Sequence, residues 1–188
     1  MTEFTMHKRE SAPEEAKVLL DGSVKAFGMI PNLHAVMAES PELLEGYQTL
    51  HRLFQVTSLG TVEQNVVWMT INVEHRCHYC VPAHTFIAQK QGVDAATVQA
   101  LRDEQPLPDA RLEALRQFTL HLVRERGQAQ PDQLQAFLAA GFTQRHVLDI
   151  VLGLAQKVMS NYVNHLADTP VDAPFARYSW EPRAGSTV

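Results

Sequence analysis

The chain of 188 residues contains two cysteines, and they stand close together in Cys77-His78-Tyr79-Cys80-Val81-Pro82-Ala83-His84. A single C-x-x-C with an imidazole one helical turn beyond it can be a redox dithiol, half of a metal site, or an inert pair. Pro82 is tolerated in the first turn of a helix but not in its interior, so the spacing predicts a helix beginning near Cys77 or His78 and running to about Gln91. On that helix positions 77, 80 and 84 fall within roughly a 60° stripe, and residues three apart have Cα atoms about 5 Å apart, close enough for a disulfide. The positive end of a helix favours thiolate over thiol. His84 is spaced to serve Cys80 as base or ion-pair partner, and a backbone-bonded core histidine is its alternative. His75, His78 and His84 offer further ligands for a structural metal. Closed zinc sites, however, pair ligand clusters from separated segments, and this chain has no second C-x-x-C. Redox use is therefore the preferred reading: one nucleophilic thiol, and a second to resolve its oxidised form.

Carboxylates near the pair are Glu63 and Glu74. Glu63 falls where a helix starts, which also suits capping, and Glu74 can pair with Arg76 or the neighbouring histidines at the mouth of a site. Asn161 and His165 share a helix face and are candidates for lining a pocket or, equally, for tertiary packing. Trp68 reads as core or interface rather than substrate wall.

The elements that must hold these residues are helices. The chain is 45% hydrophobic and 20% charged, an ordinary globular balance, and long enough to bury a core without disulfides. Ser11-Ala12-Pro13-Glu14-Glu15 predicts a helix start with a capping serine, ended by Gly28. Pro31-Asn32 opens a short segment, and Ser40-Pro41-Glu42 begins an amphipathic helix through Phe54, closed by Gly60. Residues 61 to about 74 are apolar on more than one side, which predicts a buried central helix, with a strand as the alternative. Further helices are predicted over 94–101, 109–126, 131–140 and 143–166, the last facing a core with Val147, Ile150, Val151, Leu154 and Val158. The expectation is an all-α, single-domain helical bundle over 11–168, with residues 1–10 frayed and 169–188 an extended tail docked through its aromatics.

A net charge of −5 argues against nucleic acid as a partner. No apolar run is long enough to span a bilayer, and the polar N-terminus lacks a signal-peptide core, so a cytoplasmic protein with no membrane partner is expected.

Glu63-Gln64-Asn65-Val66-Val67, the block Glu74 to His84, and Lys157-Val158-Met159-Ser160-Asn161-Tyr162-Val163-Asn164-His165-Leu166-Ala167-Asp168-Thr169-Pro170 resemble the AhpD-like branch of the carboxymuconolactone decarboxylase family. The likeness extends from about Phe27 to Trp180. It implies an all-helical fold, homo-oligomers (dimers, trimers or hexamers) and thiol-dependent hydroperoxidase activity. In that branch the second cysteine attacks the peroxide, the first resolves it and the histidine assists, roles that fall on Cys80, Cys77 and His84. A hydroperoxide and an external dithiol reductant would be the partners, with no cofactor or metal. The relay glutamate of that branch commonly lies where this chain has Asn65, so Glu74 or Glu63 is left as the expected proton relay. Some relatives carry a histidine just before the second cysteine, where this chain has Tyr79. A ring-lactone lyase on the same fold, and a non-catalytic oligomer that only senses oxidation, are the competing functions.

Overall fold

Local start and stop signals set most of the helix boundaries. The computed structural model describes residues 4–182, and all regular structure among them is helical. The order is α1 (Glu14–Phe27), α2 (Asn32–Met37), α3 (Pro41–Gln55), α4 (Thr61–Glu74), α5 (Cys80–Lys90), α6 (Ala95–Arg102), α7 (Ala110–Arg124), α8 (Pro131–Ala139) and α9 (Gln144–Ala167), followed by a 3₁₀ segment at Ala173–Tyr178. Gly28 closes α1 in the left-handed region at φ 75°, which costs a residue without Cβ nothing. Ser40 and Pro41 open α3, and the carboxylates of Asp94 and Asp109 accept the backbone N–H of Thr97 and Leu112 to cap α6 and α7.

Two expected boundaries move. Ser11 does not cap α1; its hydroxyl accepts the backbone N–H of Lys8 in a preceding turn, and Pro13 takes the cap position. Helix α3 stops at Gln55 rather than continuing towards Gly60.

Helix α4 is buried on all sides from Gln64 to Val73, so the all-round apolar pattern encodes a central helix and not a strand. It packs against α7, α5, α6 and α9. One core cluster lies between α4, α7, α8 and the start of α9. Its rings Phe118, Phe137 and Phe142 stack with centroids 4.3 and 4.4 Å apart. A second cluster joins α1, α2 and α3 to the start of α5, and it contains Cys77, Tyr79 and Cys80. The thiols are thus part of a packed core. Gly153 lets α9 approach α3 closely, for a Cβ there would meet the Phe54 ring at 2.6 Å.

The chain ends depart from expectation where they are described. Residues 4–10 form no helix but are not loose: His7 donates its backbone N–H to Ala35 at 3.0 Å, and its ring meets Glu39. The segment after α9 is 3₁₀ rather than extended over Ala173–Tyr178 and lies against α5, with Phe175 and Tyr178 around Phe86. Arg102 binds the carbonyls of Tyr178 and Ser179, and the Trp180 indole donates to the Arg102 carbonyl. The predicted frayed residues 1–3 and the tail beyond 182 lie outside the described residues. No helix among those described is long and apolar enough to cross a membrane.

Candidate active site

The cysteine pair is positioned by the way α4 ends. His75 is its C-cap and Arg76 follows in the left-handed region at φ 53°. The N–H of Arg76 bonds the Val73 carbonyl at 2.9 Å and that of Cys77 bonds the Asn72 carbonyl at 3.0 Å. This pair of bonds is a Schellman ending, and it fixes Cys77 to the tip of the central helix. Helix α5 then starts at Cys80, two or three residues later than predicted, so Cys77 sits in the turn before it rather than on the helix. The backbone N–H of Cys80 donates to Cys77 Sγ at 3.3 Å. Tyr79, between them, donates its hydroxyl to Asp172, whose carboxylate also receives the N–H of Asn32 at 3.1 Å. One buried carboxylate therefore ties the tail to the starts of α2 and α5.

The two thiols are reduced, buried and electrostatically unequal. Burial opposes ionisation of Cys80. The Cys77 thiol donating to it, the charge of Lys157 and the amides of Asn164 and Asn161 outweigh that cost and bring it down to about 6. The Asn164 side-chain N–H lies 3.2 Å from Cys80 Sγ. Cys77 is driven the other way, first by donating its proton to Cys80 and then by burial. The reduced site is a Cys80 thiolate beside a protonated Cys77.

The cation is Lys157, fully buried at 0% exposure. No carboxylate pairs with it among the described residues; its Nζ contacts His84 Nε2 at 2.8 Å. Burial lowers Lys157 from its ordinary range, and the nearby thiols pull it back up. Burial and then Lys157 hold His84 far below the usual imidazole value. His84 is thus neutral and uses Nε2 to accept from the ammonium, while its buried Nδ1 has no partner among the described residues. Direct pairing of His84 with Cys80, as the helical spacing predicted, is not what the geometry has: among the described residues the hydrogen-bonding neighbour of His84 is Lys157. Trp68 backs this group. Its indole stacks on His51 at 5.2 Å and tilts against His84 at 5.1 Å, and its N–H donates to Gln156 at 3.0 Å.

In front of the thiolate is a cavity of about 300 Å³. Helices α1, α2, α3 and α5 and the tail form its walls, largely with rings and aliphatic groups: Phe27, Leu33, Tyr47, Phe86, Ile87 and Phe175. Cys80, His84 and Lys157 lie on its lining, whereas Cys77 does not. Two more lining histidines stay neutral. Burial, then the charge of His51, holds His34 to about 3; burial, then Lys157, holds His51 to about 4. His34 Nδ1 is 2.8 Å from the Ser23 hydroxyl.

Neither expected carboxylate reaches this cavity. Glu63 accepts the Gly60 N–H at 2.7 Å, the capping alternative, and pairs with Arg111. Glu74 is held by two bonds from Arg124 at 2.7 and 2.8 Å on another face, and not by Arg76. Asn65, where the relay glutamate was sought, bonds Gln91 and the Thr61 carbonyl. Asn161 is buried and bridges His75 and Asn72, but His165 is exposed. The residues that sequence reasoning passed over are Lys157 and Asn164. With Asn161 they recur at helical spacing on one face of α9, a polar stripe that a hydrophobic pattern assigns to solvent. Among the described residues no group of three or more His, Cys, Asp or Glu side chains is arranged to hold a metal ion.

No protein-family model matches the sequence, and no curated protein is similar to it. Solved structures are. A peroxidase-related protein from Ralstonia eutropha JMP134, described as an alkylhydroperoxidase AhpD core, superposes with a TM-score of 0.79 at 17% identity over 93% of this chain and 96% of that one. A peroxidase-related protein from Silicibacter sp. TM1040 gives 0.77 at 20% identity, over 93% and 95%. The debrominase Bmp8, solved with 2,3,4-tribromopyrrole, gives 0.78 at 17% identity, over 94% and 95%. At these identities the likeness defines the fold: the chain has the all-helical fold of the AhpD core. Chemistry has to come from the side chains, because one fold carries several activities.

Proposed function

We propose that the protein is a thiol-dependent peroxidase that reduces organic hydroperoxides through Cys80 and Cys77. The observation that carries this is the division between the thiols. Cys80 lines the cavity and is stabilised as thiolate, while Cys77 keeps its proton and packs behind it. In the first step Cys80 sulfur attacks the distal peroxide oxygen. The O–O bond breaks, the alcohol oxygen leaves with the electron pair and takes up a proton, and Cys80 becomes a sulfenic acid. Cys77 then displaces hydroxide, released as water, to form the disulfide, which an external dithiol reduces. The apolar lining favours an organic hydroperoxide over hydrogen peroxide.

The test is the free-thiol content and mass of the protein before and after one equivalent of cumene hydroperoxide. Loss of two thiols and two hydrogens supports the reading. Cys80→Ser should abolish turnover, and Cys77→Ser should leave one sulfenic acid per chain and no cycling. Two unreactive thiols would overturn it.

A second reading is favoured by the ring-lined cavity and by the brominated ring bound to the debrominase of the same fold. Reductive removal of halide from an aromatic ring also takes two electrons from a dithiol and leaves the same disulfide. Bromide release from a bromopyrrole, with the peroxide inert, would select it.

A further inference from the structure

Breaking the O–O bond requires a proton for the departing oxygen, and the residue that supplies it is not obvious from the carboxylates. Glu63 and Glu74 are committed to arginines elsewhere, and no Asp or Glu among the described residues lines the cavity. Around Lys157 the ionisable groups are Tyr47 and His51 from α3, Cys80 and His84 from α5, and Cys77 before α5. Tyr47 is raised by burial, and the histidines are neutral, so none of these is an acid matched to the task near neutral pH. Lys157 differs. It is on the cavity lining beside Cys80, carries protons on a flexible stem, and is held at Nζ by His84 at 2.8 Å.

We propose that Lys157 is a catalytic acid of this site: it donates a proton from Nζ to the alkoxide leaving the hydroperoxide, with His84 Nε2 orienting the ammonium. This rests on the peroxidase reading. Cys80 thiolate, ROOH and the Lys157 ammonium give Cys80 sulfenic acid, ROH and a neutral Lys157 amine. Cys77 thiol then condenses with the sulfenic acid to give the disulfide and water. Over both steps sulfur is oxidised by two electrons and the O–O bond reduced by two. The cation that holds Cys80 ionised thus becomes the proton source once sulfur loses its charge, and the incoming dithiol returns the proton.

An acid acting on the leaving group can be separated from a cation that only stabilises the thiolate. An alkoxide leaves poorly without a proton, whereas the acetate of peracetic acid needs none. Single-turnover oxidation should therefore be measured with tert-butyl hydroperoxide and with peracetic acid, for wild type and Lys157→Met. A thiolate effect slows both oxidants equally and cancels in their ratio. Lost acid catalysis is expected to slow tert-butyl hydroperoxide about 10²-fold more than peracetic acid. An equal loss for both, or no loss, overturns the proposal. If neither wild type nor variant is oxidised by any peroxide, the peroxidase reading fails instead. Should Lys157→Met not fold, wild type alone decides: deuterated water should slow tert-butyl hydroperoxide and leave peracetic acid unaffected, and equal isotope effects overturn the assignment.

Discussion

Cys77 and Cys80 have the same side chain and nearly the same burial, yet opposite proton affinities, because of what each one touches. Cys80 receives the Asn164 amide at 3.2 Å and faces Lys157; Cys77 receives a backbone N–H and gives its own proton away. With Cys80 held near 6 against an ordinary 9.0, the thiolate exists above that pH and is lost below it. Alkylation by iodoacetamide should therefore be fast and flat above pH 7 and fall about tenfold per unit below pH 6. Asn164→Ala removes one donor to a charged acceptor, an interaction of about 1.5–3 kcal/mol, and should move the midpoint upward by about one to two units. An unchanged midpoint would show that the amide does not serve the thiolate. At this scale the two thiols were legible in the sequence, since thiols are chemically distinctive and adjacent. It concealed Lys157 and Asn164, because amide and lysine side chains are common and their meaning lies in contacts 73 and 84 positions distant in the chain.

Helix α9 shows how an element can be legible in outline and misread in orientation. Its limits, Gln144–Ala167, nearly match the predicted span, since Thr143 and the Asp168 turn are local signals. Its inner face matches only in part: Ile150 is in the core and Val147 and Leu154 pack against it. Of the expected core residues only Ile150 is fully buried and Val151 is 49% exposed, while Gln156, Lys157, Ser160, Asn161 and Asn164 are wholly inside. Hydrophobic periodicity finds the face that avoids water, and here the inward face binds Trp68, Cys80 and His84 with polar groups instead. Gly153 sets the depth of that face. Gly153→Ala would press a methyl into the Phe54 ring, and overpacking of this kind costs about 1–3 kcal/mol. Thermal unfolding should fall by several degrees. Because Lys157 lies one turn further along α9, peroxide oxidation of Cys80 should also slow. Unchanged melting and oxidation would mean that Phe54 yields freely and that the helix spacing is not set there.

For the whole molecule, the site places three histidines inside a protein that must keep them neutral as it folds. Burial, then His51, holds His34 to about 3, burial, then Lys157, holds His51 to about 4, and burial holds His84 far below 6.5 as well. The unfolded chain protonates all three near pH 6.5, and the folded chain does not until much lower, so between about 6 and 4 the unfolded state binds more protons. Stability must therefore drop as pH falls, by about 1.4 kcal/mol per pH unit for each such histidine. Asp172, raised by burial, works in the opposite sense and offsets part of this. Chemical denaturation should show a steep loss from pH 6.5 to 4, with uptake of two to three protons on unfolding as read from the slope. His34→Gln keeps a neutral hydrogen-bonding group beside Ser23 but cannot titrate. It should cost about 1–2 kcal/mol at pH 7 and lower the acid slope by close to one proton, so that the two stability curves cross between about pH 6 and 5 and the variant is the more stable below that. Parallel curves would mean that His34 titrates alike in the folded and unfolded chain, so that burial beside Ser23 does not keep it neutral.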